Sequence, residues 1–405
     1  MPPLEITRIP HITGSQFFTF TVPNPIFHDC HLRSPLLRVA VLDTPHPRAP
    51  PPSGDLPIVV AMIVPPNRES DWIFSTEAGQ FQILQSYTNV ARLVLIGNNP
   101  QPNSPPVPFV RSPASDSDEQ LRDTMEDELI SLVVSLHPNI CFQDGMFPEP
   151  EFLTFEDPTL YSVILNRFMG RLVGEFLVED VEVERKWKSE DDKKDFRRRL
   201  RFKRTPKTIQ SEVPLVPASD EQLTDVVVDL MGMRKLDEVE FRVDPTVLVS
   251  PHLVAMVAGV SLIAPYIDQR IRNGFAPRAL CLGVGGGALL TFLKSQLGFQ
   301  VVGVESDEVV MNVGRRYFGL VDSISLQLVL GDAIEFLEKF SRGLARRNPL
   351  HLPVSITMKD DKYDAIMVDL DFGDAGPGSV ARHRALLRGR FFSRLDRFFT
   401  IKVFL

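Results

Sequence analysis

The chain has 405 residues, more than one ordinary core accommodates, and roughly 150 residues per domain points to two domains. Its 44 Lys and Arg against 52 Asp and Glu leave a net charge of −8, so nucleic acid and anionic membranes are not attracted overall. Hydrophobic residues at 43% exclude a disordered or fibrous chain, and the 3 cysteines, Cys30, Cys141 and Cys281, lie too far apart for a disulfide framework or a zinc site. No basic-then-apolar leader opens the sequence and no uninterrupted apolar run approaches the ~20 residues of a membrane span. The expectation is a cytoplasmic protein with no membrane partner and no metal.

Proline is dense over 45–57 and 100–113, which reads as two loops. Between them LPIVVAMIVP at 56–65 predicts a buried strand, WIFSTEAGQFQILQSY at 72–87 a helix and ARLVLIG at 91–97 another strand, a β-α-β fragment. The acidic opening and three-and-four spacing of DEQLRDTMEDELISLVVSLHP predict a helix over 118–136. From 150 to 215 the pattern turns strand-like: GEFLVEDVEVE and FRRRLRFKR flank the charged turn KSEDDKKD as an antiparallel hairpin. Arg197, Arg198, Arg199, Arg201, Lys203, Arg204 and Lys207 alternate there. They fit a solvated edge strand protected by charge better than a patch for an acidic protein or RNA, because only Phe196 and Phe202 interleave them. No strong nucleic-acid signal results.

The second half alternates regularly. ALCLGV (279–284), a helix from about 286, QVVGV (300–304), a helix over VVMNVGRRYF, SLQLVL (325–330), a helix over AIEFLEKF and YDAIMVD (363–369) predict a parallel, doubly wound sheet. Ligands of such sheets sit beyond the carboxyl ends of the strands. The first strand runs into Gly283, Gly285, Gly286 and Gly287, where the backbone can approach an anion; a dinucleotide loop or a purely structural turn has the same form. The second ends in Glu305, placed to accept both hydroxyl hydrogens of a ribose, which NAD and S-adenosylmethionine share. The third ends in Asp332 and Ala333, suited to an adenine amino group, although Asp332 equally fits a helix N-cap. The fourth ends in Asp369 and Asp371, where Asp369 can hold the cofactor's ammonium or an acceptor amine, and Asp371 reads equally as a solvated loop residue. Matching strand ends favour S-adenosylmethionine over NAD, and downstream of the glycine loop the only histidines, His351 and His383, sit in loop-like sequence unsuited to hydride transfer.

Several segments are recognisable together: VVAMIVPPNRESDWIFSTEAGQFQIL, FRRRLRFKRTPKTIQSEVPLV, VDPTVLVSPHLVAMVAGVSLI and CLGVGGGALLTFLKSQLGFQVVGVESDEVVMNVGRRYFGL. Through them most of 55–371 resembles the carboxyl-terminal half of the methyltransferase-like protein 13 family, the elongation factor 1-alpha lysine and N-terminal methyltransferases, within the spermidine synthase-like class I superfamily. The resemblance implies S-adenosylmethionine around Gly283, Gly285, Glu305, Asp332 and Asp369. It implies that Gln210, Ser211, Glu212, His252 and Met256 flank the active-site mouth, with His252 reading equally as a residue that packs its helix on the sheet. It also implies a protein acceptor, elongation factor 1-alpha.

The expected fold is therefore α/β: an α+β region over 1–215, with a β-hairpin prelude near 173–215, and a Rossmann-like methyltransferase domain over 216–405. Two departures from the family stand out. Nothing resembling its amino-terminal methyltransferase domain precedes residue 55, and the chain stops at Leu405 after TIKVFL, a fifth strand, leaving the sheet truncated. That leads to an expected apolar edge open to self-association, and to two alternative functions: an aminopropyltransferase, or a cofactor-binding interaction protein of weak catalysis.

Overall fold

The computed structural model describes residues 11–12, 16–25, 34–44, 57–99, 108–111, 116–145, 149–184, 194–218, 239–341 and 363–371. The chain divides into two compact units, Met1–Ser162 and Val163–Leu405.

The first unit is built on β1 (Phe17–Pro23), β2 (Leu36–Asp43), β3 (Ile58–Ile63), β4 (Val90–Asn98), the short β5 (Phe109–Val110) and β6 (Glu151–Leu153), with helices α1 (Trp72–Ser75), α2 (Glu77–Ser86) and α3 (Asp116–Ser135). Its sheet runs β1-β2-β4-β3-β6, with β1, β2 and β4 antiparallel and β3 parallel to β4. The β3-α2-β4 crossover is the fragment expected from the sequence. Asp71 and Thr76 start the two short helices by accepting N–H bonds from Ile73 and Gly79, which is why the expected single helix is broken at Thr76. Val39, Val41, Val59, Val94 and Ile96 are packed against Leu129, Val133 and Leu136 of the α3 region on one face of the sheet. Within β4, Arg92 is fully enclosed. Its Nε and Nη2 donate to both oxygens of Asp43 at 2.6 and 2.9 Å, and its Nη1 to the Leu136 carbonyl at 2.7 Å.

The second unit begins inside β7 (Thr159–Gly170) and continues through β8 (Gly174–Val183), β9 (Asp195–Phe202), β10 (Ile209–Pro217) and β11 (Phe241–Val243), neighbours in the order β11-β10-β9-β8-β7. The β-rich layer expected near 173–215 therefore starts earlier and clusters with the following half of the chain, not with residues 1–162. The reason is packing: Phe176, Val178, Leu200, Phe202 and Val213 share a core with Val310, Val313 and Phe318.

The arginine strand is not an edge. β9 lies between β8 and β10, and its cations are neutralised across the ladder: Arg197 and Arg199 on Glu212 at 3.0 and 2.7 Å, Arg198 on Asp180 at 2.7 Å, Arg201 on Glu179 at 2.7 Å. Cross-strand ion pairs at this spacing explain why so many charges tolerate a half-buried sheet.

Then come α4 (Pro251–Val260), α5 (Ala264–Arg272), β12 (Arg278–Leu282), α6 (Ala288–Leu297), β13 (Gln300–Glu305), α7 (Glu308–Tyr317), β14 (Leu326–Leu330), α8 (Ala333–Ser341) and β15 (Ala365–Val368). The four strands form an all-parallel sheet ordered β14-β13-β12-β15, so the direction of winding reverses between β12 and β15. Helices cover both faces. Leu253, Ile263, Ile267, Leu290 and Leu293 pack on one side, and Ala333 and Leu337 meet Leu282, Val304 and Ile366 on the other. Each of the Leu, Ile and Val side chains contributes roughly 1.5–3 kcal/mol on burial. Pro251–Arg272, 22 residues, contains an 18-residue window of mean hydropathy 1.3, enough for a membrane span by length and composition alone. A 3₁₀ turn over Ser261–Ile263 interrupts it, and Leu253, Val260, Ile263 and Ile267 are packed into the core. The expected strand at 400–405 and the basic apolar segment before it lie outside the described residues.

Candidate active site

Each strand of the parallel sheet carries a candidate residue at its carboxyl end. β12 leaves the sheet at Gly283, whose φ of +89° suits glycine, and a Cβ there would collide with the carbonyl oxygen of Asp369 on the loop leaving β15. Gly285 has φ +54°, and a Cβ there would lie 2.6 Å from Ser211 Oγ. The loop is thus a bare-backbone cradle. Gly287 serves differently: at φ +84° it is the N-cap of α6, and a Cβ there would press on Leu320 at 2.6 Å, so it packs the turn and does not line the cleft.

Glu305, at the end of β13, is buried and not a free acceptor. Its Oε2 accepts the N–H groups of Val284 and Gly285, each at 3.1 Å, and its Oε1 those of Ser306 and Asp307 at 2.9 and 3.0 Å. The carboxylate braces the glycine loop while still facing the cleft. Asp332 accepts the N–H groups of Ile334 and Glu335, both at 2.9 Å, which makes it a helix N-cap; it also lines the cleft with Ala333.

Asp369 lies beside His252, at the start of α4, with His252 Nε2 at 3.7 Å from Asp369 Oδ2. Desolvation in the cleft raises the Asp369 carboxyl above the ordinary carboxylate value, nearby His252 opposes that rise, and Asp371 adds to it. Asp371 itself takes an ion pair from Arg204 at 2.9 Å. Gln210 reaches the cleft wall and donates to Thr205 Oγ1 at 3.1 Å. Glu212 does not reach it: the register shift of β10 between Ile209 and Ser211 turns Ser211 toward the glycine loop, and Glu212 is held by Arg197 and Arg199. Sequence reasoning undervalued Ser211, which accepts the Gly286 N–H at 2.7 Å, and missed Leu172 and Val173 at the β7–β8 turn.

One cleft of ≈ 690 Å³ opens where the winding reverses, lined by Gly283, Gly285, Glu305, Asp332, Ala333, Asp369, Asp371, Gln210 and His252 among others. Such a switch point is where open α/β sheets bind their ligands. Among the described residues no group of three or more His, Cys, Asp and Glu is placed to hold a metal ion.

No protein-family model matches the chain. Curated proteins do match: the eEF1A lysine and N-terminal methyltransferase homolog of Drosophila melanogaster is 25% identical over 359 residues, 88% of this chain and 43% of its own length. The chain is similar to the eEF1A lysine and N-terminal methyltransferases. The Danio rerio protein of that name is 25% identical over 358 residues, covering 86% of this chain and 45% of its own, and the Homo sapiens protein 23% over 381 residues, covering 90% and 47%. The chain thus spans less than half the length of these methyltransferases. Among solved structures, human methyltransferase-like protein 13 in complex with SAH aligns over 37% of this chain and 61% of that one at 21% identity, TM-score 0.28. A probable spermidine synthase from Corynebacterium glutamicum aligns over 59% and 61% at 13% identity, TM-score 0.33.

Proposed function

We propose that the cleft binds S-adenosylmethionine and that the chain transfers its methyl group to an amine of a protein, the amino terminus of elongation factor 1-alpha. The observation that carries this reading is the meeting, in one cleft at the winding reversal, of the bare glycine loop, Glu305, Asp332 with Ala333, and Asp369. The donor set fits the cofactor. The bare glycine backbone lets the cofactor approach closely, its N–H groups from Gly283 to Gly287 being already donated to Val304, Glu305, Ser211 and Val284, while Glu305 suits a ribose edge, the Asp332–Ala333 corner an adenine, and Asp369 an acceptor amine. When bound, S-adenosylmethionine supplies a sulfonium methyl to a nucleophile in line.

The chain's own task is to present a neutral amine. Asp369 holds the acceptor nitrogen, and His252, with its ring nitrogen beside that carboxylate, is placed to take the proton the nitrogen must lose. An α-amino group ionises near pH ~7.8 against ~10.4 for lysine, so the neutral form costs roughly 3.5 kcal/mol less. This favours an N-terminus. A protein acceptor of the translation machinery would place the enzyme in the cytoplasm. The aminopropyltransferase alternative is weakened at Asp371, whose ion pair with Arg204 leaves one carboxylate fewer for a polyamine's cations.

The test is mass spectrometry of elongation factor 1-alpha after incubation with the chain and isotope-labelled cofactor. Label on the N-terminal peptide is expected. Label confined to an internal lysine would overturn the acceptor, and putrescine-dependent release of methylthioadenosine would overturn the reaction.

A further inference from the structure

The tip of the β7–β8 turn carries Leu172, an exposed leucine where turns ordinarily place polar residues, and it stands at the wall of the cleft together with Val173, Ser306 and Ile334. What holds it there is Asp307. This aspartate has no exposed surface: its Oδ2 accepts the Leu172 and Val173 N–H groups at 2.7 and 3.3 Å, and its Oδ1 accepts the Val309 N–H at 2.9 Å as the cap of α7. Its own N–H donates to Glu305 Oε1 at 3.0 Å. The turn is shaped to receive it, because a Cβ on Gly170 would lie 2.8 Å from the same Oδ2, and Gly174 at φ +75° reverses the chain. An unbroken path of hydrogen bonds therefore runs from the cleft carboxylate Glu305 through Asp307 to the apolar tip.

We infer that Leu172 and Val173 form an apolar roof over the nucleoside end of the cleft, and that Asp307 is the positioning residue that sets the roof against Glu305. The inference rests on the cofactor reading above. An adenine ring has two apolar faces and a polar edge. Ala333 and Ile334 offer apolar surface beside Asp332 in the same cleft, and the roof would cover the ring's other face. On this inference the Asp307 side chain reaches the ligand through the turn, so its removal should affect binding chiefly while Leu172 is present, whatever its cap on α7 contributes to stability.

The experiment is calorimetric titration of the full chain with S-adenosylhomocysteine and, separately, with methylthioadenosine, each variant's melting temperature being measured alongside. Leu172→Ala is expected to weaken both ligands about fivefold to tenfold with an unchanged melting temperature. Asp307→Asn should weaken both by a similar factor, and the double variant little more than either single one, which a merely structural cap would not produce. Should Asp307→Asn unfold, Gly170→Ala, which presses on the same carboxylate, replaces it in the cycle. Leu172→Ala binding within about twofold of the unchanged chain, or fully additive losses in the double variant, would overturn the roof while leaving the cofactor reading standing. Failure of the unchanged chain to bind either ligand would overturn both.

Discussion

His252 Nε2 stands 3.7 Å from Asp369 Oδ2, so a helix start and a strand end that are far apart in sequence share one proton-handling corner. Desolvation raises the Asp369 carboxyl, His252 opposes the rise and Asp371 reinforces it. If ionised Asp369 holds the acceptor, transfer falls as pH drops through a value above the ordinary carboxylate range. The acid limb of kcat/KM should move to higher pH in His252→Gln and to lower pH in Asp371→Asn. Limbs that stay in place in both variants would remove Asp369 from the reaction. For stability the sign is opposite to that of an ion-paired carboxylate: a raised native pKa means the folded state holds its proton more tightly, so this group favours folding more below that pKa than above it.

Glu305 should prove structural as well as functional. It accepts four backbone N–H groups, from Val284, Gly285, Ser306 and Asp307, so Glu305→Ala is expected to cost about 2–4 kcal/mol of stability in urea denaturation, besides abolishing cofactor binding. Unchanged stability with lost binding would show that the loop holds its shape without the carboxylate.

Gly283→Ala combines a left-handed backbone with a collision on the Asp369 carbonyl, and is expected to destabilise by at least about 2 kcal/mol and to eliminate S-adenosylhomocysteine binding in calorimetry. Gly298, equally left-handed but facing open space, is the control: Gly298→Ala should cost only about 1–2 kcal/mol and leave binding intact.

In the first unit, Asp43→Ala strands a fully enclosed guanidinium, and a loss of about 3–5 kcal/mol is expected in thermal unfolding. The double change Asp43→Leu with Arg92→Met should cost much less, because both charges leave together. A double variant as unstable as the single one would show that the pair itself supplies stability.

The parallel sheet was legible because β12 to β15 are continuous apolar runs separated by amphipathic helices, and the strand-end carboxylates could be located by counting. The place of β9 was not. Alternating arginines have the same signature on an edge as in an interior ladder, and only the partners Glu179, Asp180 and Glu212 on neighbouring strands decide between them. Strands β1 and β2 were hidden by the Pro-rich context around them, and Glu212, placed at the cleft by resemblance alone, is instead held by Arg197 and Arg199 because β10 shifts its register before Ser211. Glu305 and Asp332 lie at the strand ends that counting indicates; the N-cap of Asp332 was one of its two readings, whereas the backbone N–H partners of Glu305 are invisible in a string of side chains.

The pairing of β12 with β15 joins segments that have both β13 and β14 between them in sequence. Loop-closure entropy opposes such a contact until most of the intervening chain is ordered, so this ladder should be among the slowest to form during folding. The cleft lies across that seam, with Gly283 on one side and Asp369 on the other. A ligand bridging the two sides would thus bind the fully assembled sheet and not its partly assembled precursors. Its effect would appear chiefly as slower unfolding, with little gain in the rate of folding.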